Sequence, residues 1–292
     1  MHTVLITGVK GQLGRELARL LPDETCFPSG RDALDITDEG QVLGYCRAIR
    51  PGAIVNCAAY TAVDTAESDV QTAYAVNEKG PENLARAARE LDIPLIHIST
   101  DFVFDGTKPG MYSEDDIPNP LSVYGHSKLA GEQVVFRVYP QTMVIRTGWL
   151  YSGQGRNFFR TILKTAGQRD ELRVVADQAG TPTYARDLAQ AIGLILSRCA
   201  LGRGQIFHYA QAGIASWYDF AWAIVRLAGL SCRVVPIETR EYPTPARRPQ
   251  YSVLNTKKIR RTFDLHIDHW QDALRRCMQE NTMTEDLWTE DR

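Results

Sequence analysis

Three features of this 292-residue chain predict an α/β fold, a doubly wound parallel sheet with a smaller, discontinuous C-terminal lobe. Short β-branched runs alternate with helix-length segments, a Gly-rich turn follows the first run directly, and the rhythm loosens after Arg146. Residues 3–7, 53–56, 95–99 and 143–146 are mostly apolar runs that do not alternate, the pattern of strands buried on both faces. A second strand near residues 25–27 is placed by rhythm alone. Between the strands, residues 12–21, 39–50, 73–91 and 124–138 have the length and periodicity of crossover helices. Farther on, helices are expected at 158–165, 185–198 and 218–227, and strands at 173–175, 206–209 and 233–237. The Pro-rich stretch 242–249 must be loop. The expected division is residues 1–150 for a dinucleotide-binding domain, to which some later segments return, 151–278 for a ligand-binding lobe, and 279–292 for a frayed polar tail.

Composition excludes several functions. With 33 Lys+Arg against 35 Asp+Glu, net charge −2, no basic field exists to hold nucleic acid or an anionic membrane. No apolar run approaches the roughly 18 residues of a membrane-spanning helix. The six cysteines (Cys26, Cys46, Cys57, Cys199, Cys232 and Cys277) lack C-x-x-C spacing, and no charged-then-apolar leader precedes the first strand. Reduced thiols and a cytoplasmic location are expected. None of the six His residues forms a ligand pair of the H-E-x-x-H kind, so no protein-held zinc is expected.

The turn Thr7-Gly8-Val-Lys-Gly11-Gln12-Leu13-Gly14 opens a helix straight after the first strand, which is the setting of a dinucleotide phosphate cradle. Gly8 allows the tight turn, Gly11 lets backbone approach a pyrophosphate and Gly14 lets the helix pack on the sheet, with Gln12 and Leu13 flanking the phosphates. After the second strand the chain reads Ser29-Gly30-Arg31-Asp32, with Gly30 where an acid would grip a ribose 2′-hydroxyl. Arg31 then suits a 2′-phosphate, so NADPH is preferred, while Asp32 leaves NADH possible. Asp35 and Ile36 are candidate adenine contacts, with a turn-starting role the alternative for Asp35, and Ala58, Ala59, Tyr60 and Thr61 follow the third strand where a doubly wound sheet binds ligands. Tyr124 and Lys128 lie four apart on one helical face, a spacing in which an ammonium can tune a phenol for proton transfer.

Taken in order, the glycine turn, Asn56-Cys-Ala-Ala-Tyr60, Ser99-Thr100-Asp101 and Tyr124-x-x-x-Lys128 resemble the extended short-chain dehydrogenase/reductases, which implies a Rossmann-type sheet. Within that superfamily, residues 60–67, 99–106, 120–125, 128–132 and 242–249 are similar to the dTDP-4-dehydrorhamnose reductases, through about Met278. The resemblance implies reduction of the 4-keto group of dTDP-6-deoxy-L-lyxo-4-hexulose, with Thr100, Tyr124 and Lys128 as catalytic residues. It places Val63, Thr100, Asp101, Phe102 and Trp149 around the sugar, and it makes Tyr124 and Lys128 cofactor contacts as well. Arg248, or Arg247, is a candidate for the substrate pyrophosphate, and Asn157 a weaker pocket candidate with an N-cap as its ordinary alternative.

Two departures from the family pattern matter. Phe102 stands where Tyr is frequent, removing one hydrogen bond. Some relatives dimerise through magnesium held by acids, and Arg186 stands at one such position, so magnesium lacks a protein site here and either a monomer or a homodimer is expected. Rival readings are a nucleotide-sugar epimerase or dehydratase, and a non-catalytic NADP-binding subunit resembling the β subunit of methionine adenosyltransferase. A dehydratase commonly carries Thr-Asp-Glu where this chain has Thr100-Asp101-Phe102.

Overall fold

A computed structural model of the chain describes residues 3–22, 25–198 and 204–282. Cys199 and the polar stretch 283–292 lie outside the described residues.

The first half alternates β1 (Val4–Thr7), α1 (Gln12–Leu20), β2 (Cys26–Ser29), α2 (Glu39–Ile49) and β3 (Ala53–Asn56). Short helices α3 (Val63–Ala66) and α4 (Val70–Tyr74), a π-helical turn (Ala75–Lys79), α5 (Gly80–Leu91), β4 (Leu95–Thr100), α6 (Val123–Val138) and β5 (Met143–Thr147) complete it. The second half begins with β6 (Leu150–Tyr151), α7 (Phe158–Ala166), β7 (Glu171–Val175), β8 (Ala179–Gly180), β9 (Thr183–Tyr184) and α8 (Ala185–Ser197). It continues with β10 (Gln205–His208), β11 (Ala215–Ser216), α9 (Trp217–Leu227), β12 (Arg233–Ile237), α10 (Lys257–Phe263) and α11 (Trp270–Thr282).

The main sheet is six-stranded and parallel, in the order β10-β5-β4-β3-β1-β2. Leu5, Ile6, Ile54, Val55, Ile96, Val144 and Ile145 are fully buried, as apolar runs covered on both faces require. One face packs on α1, α8 and α10 through Leu17, Leu188, Ile192 and Ile259, the other on α2, α5 and α6 through Val42, Leu84 and Val135. A third core, around Tyr151, Phe159, Phe220 and Leu274, belongs to the smaller lobe built from α7, α9 and α11. The faint second strand has a physical cause: β2 is the sheet edge and contains Pro28, which only an edge strand accepts. Strand order reverses between β1 and β3, and a doubly wound sheet opens a ligand crevice at that switch point.

Two expected elements differ. The helix expected over 73–91 is broken into α4, the π-helical turn and α5. At the turn's centre, buried Asn77 accepts from Tyr60 N at 2.9 Å and donates to Tyr60 O at 3.1 Å and Ser127 Oγ at 3.0 Å, so the wide turn exchanges regular helix for a polar anchor. The first residues of the polar stretch expected to fray, 279–282, are helical. α11 continues to Thr282, and its Glu280 accepts Arg186 at 2.5 Å and the Tyr184 hydroxyl at 2.5 Å.

Candidate active site

A cleft of ≈ 1040 Å³ opens at the C-terminal ends of β1, β3, β4 and β5. Gly8 has φ +69°, and a Cβ there would lie 2.6 Å from Ala58 N and Cα, so the turns after β1 and β3 meet at the switch point. A Cβ on Gly14 would lie 2.4 Å from Gly8 O, which places Gly14 in the helix-to-turn packing and off the cleft wall. α1 begins at Gly11 without a side-chain cap, leaving its first N–H groups facing the cleft. A glycine cradle that any Cβ would fill, over an uncapped helix N-terminus, fits the pyrophosphate of a dinucleotide.

Gly8, Gly11, Gln12 and Leu13 line this cradle, while Arg31, Asp35 and Ile36 line one end of the cleft and Ala58, Ala59, Tyr60 and Thr61 another part of its wall. Gln12 also reaches the smaller lobe: its Nε2 donates to Leu150 O at 3.2 Å and its Oε1 accepts Ser152 Oγ at 3.2 Å. Asp35 Oδ1 accepts Thr37 N at 2.9 Å and Thr37 Oγ1 at 2.8 Å, bonds that hold its carboxyl below the usual range and make it a turn residue. Arg31 is exposed, with Nε 3.7 Å from Asp35. Lys10, which the motif reading passes over, lies along Gly30 and ion-pairs with Asp32. Its signal was its place inside the glycine turn, opposite the end of β2.

At the cleft floor, β4 ends at Thr100 and α6 brings Tyr124 and Lys128 beside it. Ser122 caps α6 by accepting Gly125 N at 3.2 Å, while Val123 N donates to Glu67 Oε1 at 2.9 Å, which fixes where the helix begins. The Tyr124 phenol lies beside Thr100, and its ring meets Phe102 edge-on, centroids 5.7 Å apart. Lys128 is 2% exposed and donates to Ile98 O at 2.6 Å.

Burial dominates both groups. It pushes the Tyr124 phenol up to about 12, with the Asp101 charge adding to the rise and Thr100 opposing it. It pulls the Lys128 ammonium down to about 8, against the attraction of Glu132. The expectation that Lys128 lowers this phenol therefore needs correcting for the protein alone: the ammonium is directed at a carbonyl of β4, and desolvation governs the phenol. The result is a phenol that stays protonated near neutrality, a loaded proton donor.

Asp101 is buried behind this pair. Its carboxylate accepts Ser252 Oγ at 2.5 Å and Thr100 Oγ1 at 3.1 Å, and burial pushes it up to about 6 despite both bonds. Gly148 makes room for it, since a Cβ there would lie 2.6 Å from Asp101 Cγ. Ser252 carries no motif, and only the tertiary fold brings residue 252 to residue 101.

Val63, Phe102, Trp149 and Arg248 also line the cleft. Trp149 adopts φ +49°, a left-handed conformation uncommon for a bulky residue, and stacks on Trp217 with centroids 3.5 Å apart and planes 3° from parallel. Gly180 accommodates the indole, because a Cβ there would fall 2.4 Å from the ring. Trp217 was missed by sequence reading, although Ser216 and Asp219 form the capping box that starts α9 at this residue. Arg248 is held by Asp64, NH2 to Oδ2 at 2.7 Å and NH1 to Oδ1 at 3.0 Å, and by Thr244 Oγ1 at 2.6 Å. Arg247 is exposed and off the cleft wall. Asn157 faces the cleft but works as the N-cap of α7, accepting Arg160 N at 3.1 Å. Among the described residues no group of three or more His, Cys, Asp or Glu could hold a metal ion.

A parallel sheet with a glycine cradle at its switch point and Thr, Tyr and Lys gathered at the end of the fourth strand has the layout of a dinucleotide-dependent oxidoreductase. The profile of one family, described as the RmlD substrate binding domain, matches residues 1–283. The chain belongs to that family, that of the dTDP-4-dehydrorhamnose reductases. It is 42% identical over 287 residues to the dTDP-4-dehydrorhamnose reductase of Aggregatibacter actinomycetemcomitans, covering 94% of this chain and 98% of that protein. Among solved structures it is similar to the dTDP-4-dehydrorhamnose reductase of Clostridium acetobutylicum, TM-score 0.91 at 40% identity over 96% of this chain and 100% of that one. The Bacillus anthracis dTDP-4-dehydrorhamnose reductase, solved in complex with NADP, gives TM-score 0.92 at 38% identity over 96% of this chain and 99% of that one.

Proposed function

We propose that this chain reduces the 4-keto group of dTDP-6-deoxy-L-lyxo-4-hexulose with NADPH, giving dTDP-L-rhamnose for polysaccharide synthesis. The observation that carries the reading is the meeting of Thr100, Tyr124 and Lys128 on the floor of the cleft whose wall holds the glycine cradle. Bound reduced nicotinamide supplies the hydride. Tyr124 donates its phenolic proton to the sugar oxygen as negative charge gathers there, and the Thr100 hydroxyl, turning its proton from Asp101, hydrogen-bonds the same oxygen. Lys128, one helical turn away and almost wholly buried, stabilises the phenolate left behind. Asp101 and Ser252 orient Thr100, while Trp149, Trp217, Phe102 and Val63 exclude water from the sugar face.

NADPH is the preferred cofactor, because Lys10 and Arg31 flank Gly30 and can meet a 2′-phosphate. Asp32 gives NADH a ribose partner, so NADH is expected to be the weaker cofactor. Arg186 pairs with Glu280, which favours an oligomer, if any, without bridging magnesium. No helix among the described residues is long and apolar enough to cross a membrane, and the substrate class suits the cytoplasm.

The test mixes the purified chain with NADPH and enzymatically made keto sugar and follows NADPH absorbance. The wild type should consume NADPH, and Tyr124→Phe should lower kcat by about 10²–10⁴-fold with the cofactor Kd unchanged. A wild type that consumes none overturns the reductase reading, and equal turnover by Tyr124→Phe overturns the role given to the phenol.

A further inference from the structure

β4 is fastened to α6 at two consecutive residues, and the next residue of the strand faces the helix as well. Thr100 meets the Tyr124 phenol, Ile98 O accepts Lys128 Nζ at 2.6 Å, and Ser99 Oγ donates to Glu132 Oε1 at 2.5 Å. Tyr124, Lys128 and Glu132 follow one another at four-residue intervals, so one helical stripe carries both attachments and the phenol.

Glu132 is 2% exposed, and Arg146 of β5 grips both its oxygens, Nε to Oε1 at 2.9 Å and NH2 to Oε2 at 2.6 Å. Arg146 sits opposite Ser99 in the β4–β5 register, so the carboxylate bridges both strands to the helix. The third guanidinium nitrogen faces His208 Nε2 at 3.5 Å, His208 Nδ1 faces Tyr112 O at 3.1 Å, and the guanidinium carbon lies 5.1 Å from the Phe104 ring centroid. His208 is pushed down to about 3 by burial and by Arg146, so its ring is neutral, with the proton on Nδ1 and Nε2 accepting. An apolar pair of similar volume can fill such a site without loss of stability. Packing therefore does not explain why an ion pair lies at the root of the catalytic turn.

We propose that Glu132, clamped by Arg146 and Ser99, is a positioning residue that fixes the Tyr124–Lys128 stripe against Thr100 and keeps an anion behind the Lys128 ammonium. The inference rests on the reductase reading of the same site. The ionisable groups facing Lys128 are Glu132 on its own helix, His97 on β4 and Cys57 after β3, while Tyr124, one turn away, faces Thr100 and Asp101. Burial keeps His97 neutral and pushes the Cys57 thiol up to about 12, so neither replaces the Glu132 charge.

The deciding experiment compares the wild type with the double variant Glu132→Leu/Arg146→Met, which removes both charges and strands neither. Wild-type turnover tests the reductase reading, and the ratio of variant to wild type tests Glu132. The folded double variant should bind NADPH with unchanged Kd and show KM within about threefold, while kcat falls about 10²-fold, the scale of an ångström-size misplacement. The alkaline limb of its kcat profile should move to lower pH, because the ammonium has lost its counter-charge. A folded double variant with wild-type kcat and an unmoved alkaline limb overturns the proposal. Should the double variant not fold, Ser99→Ala decides: it leaves the ion pair intact but cuts one attachment, and kcat should fall about tenfold. Unchanged kcat in Ser99→Ala overturns the proposal equally.

Discussion

Replacing Gly148 by Ala tests whether the buried Asp101 carboxylate is fixed in place. The added Cβ would lie 2.6, 2.7 and 2.8 Å from Cγ, Oδ2 and Oδ1 of Asp101, where ordinary contact begins near 3.4 Å. About 0.8 Å must be found, since 2.6 Å falls short of 3.4 Å by that amount. The carboxylate cannot move alone, because Ser252 holds it at 2.5 Å and Thr100 at 3.1 Å. Displacing it therefore drags the Thr100 hydroxyl. Overpacking of this kind costs about 1–3 kcal/mol of stability. A shift approaching 1 Å at a reacting group costs up to about 10²-fold in rate, near 2.7 kcal/mol of barrier. Gly148→Ala should thus stay folded with a modestly lowered Tm, keep its NADPH Kd by fluorescence titration, and lose about 10–10²-fold in kcat. Wild-type kcat in a folded Gly148→Ala protein would refute the view that Thr100 and Asp101 are held as one unit.

Lys10→Ala should weaken NADPH binding about tenfold and leave NADH nearly unchanged, measured as two dissociation constants, since one charge-assisted bond to the 2′-phosphate is worth about 1.5 kcal/mol or more; an equal effect on both cofactors would exclude Lys10 as the discriminating cation. Asp101 has its folded pKa raised to about 6 by burial, so the stability it contributes is present below its ordinary value of 3.8 and is lost as pH rises through about 6. Asp101→Asn should accordingly raise Tm at pH 8 relative to wild type and change it little at pH 4, by calorimetry at both pH values, with an equal change at both pointing to packing instead.

Much of the sheet was legible because parallel strands covered on both faces must be near-continuously apolar, and residues 53–55 read that way without help from context. β2 was faint because an edge strand is released from that demand, and α4 and α5 merged in the sequence because a π-helical turn leaves helical periodicity nearly intact. At the site, groups read from contiguous motifs came out together on one cleft: the glycine turn, Thr100, Tyr124 and Lys128. Their supports did not show, because Ser252, Gly148 and Arg146 act through contacts that only tertiary structure creates. Charge state was the hardest property to read. The i,i+4 spacing foretold an ammonium lowering a phenol, while the depth of burial raises that phenol instead.

The return of β10 to the main sheet bears on how the chain is made. During synthesis the first 150 residues can assemble β1 to β5, but the outer edge of β5 stays unpaired until residues 205–208 emerge to cover it. An uncovered strand edge is a template for pairing with other chains. His208, the partner of Arg146, arrives on that same strand, so the charge network beneath the catalytic helix is completed by the segment that seals the sheet. A fragment ending near residue 150 would carry the cofactor cradle together with a sticky edge and an incompletely paired guanidinium. Aggregation, more than simple inactivity, is the fate that such a fragment invites.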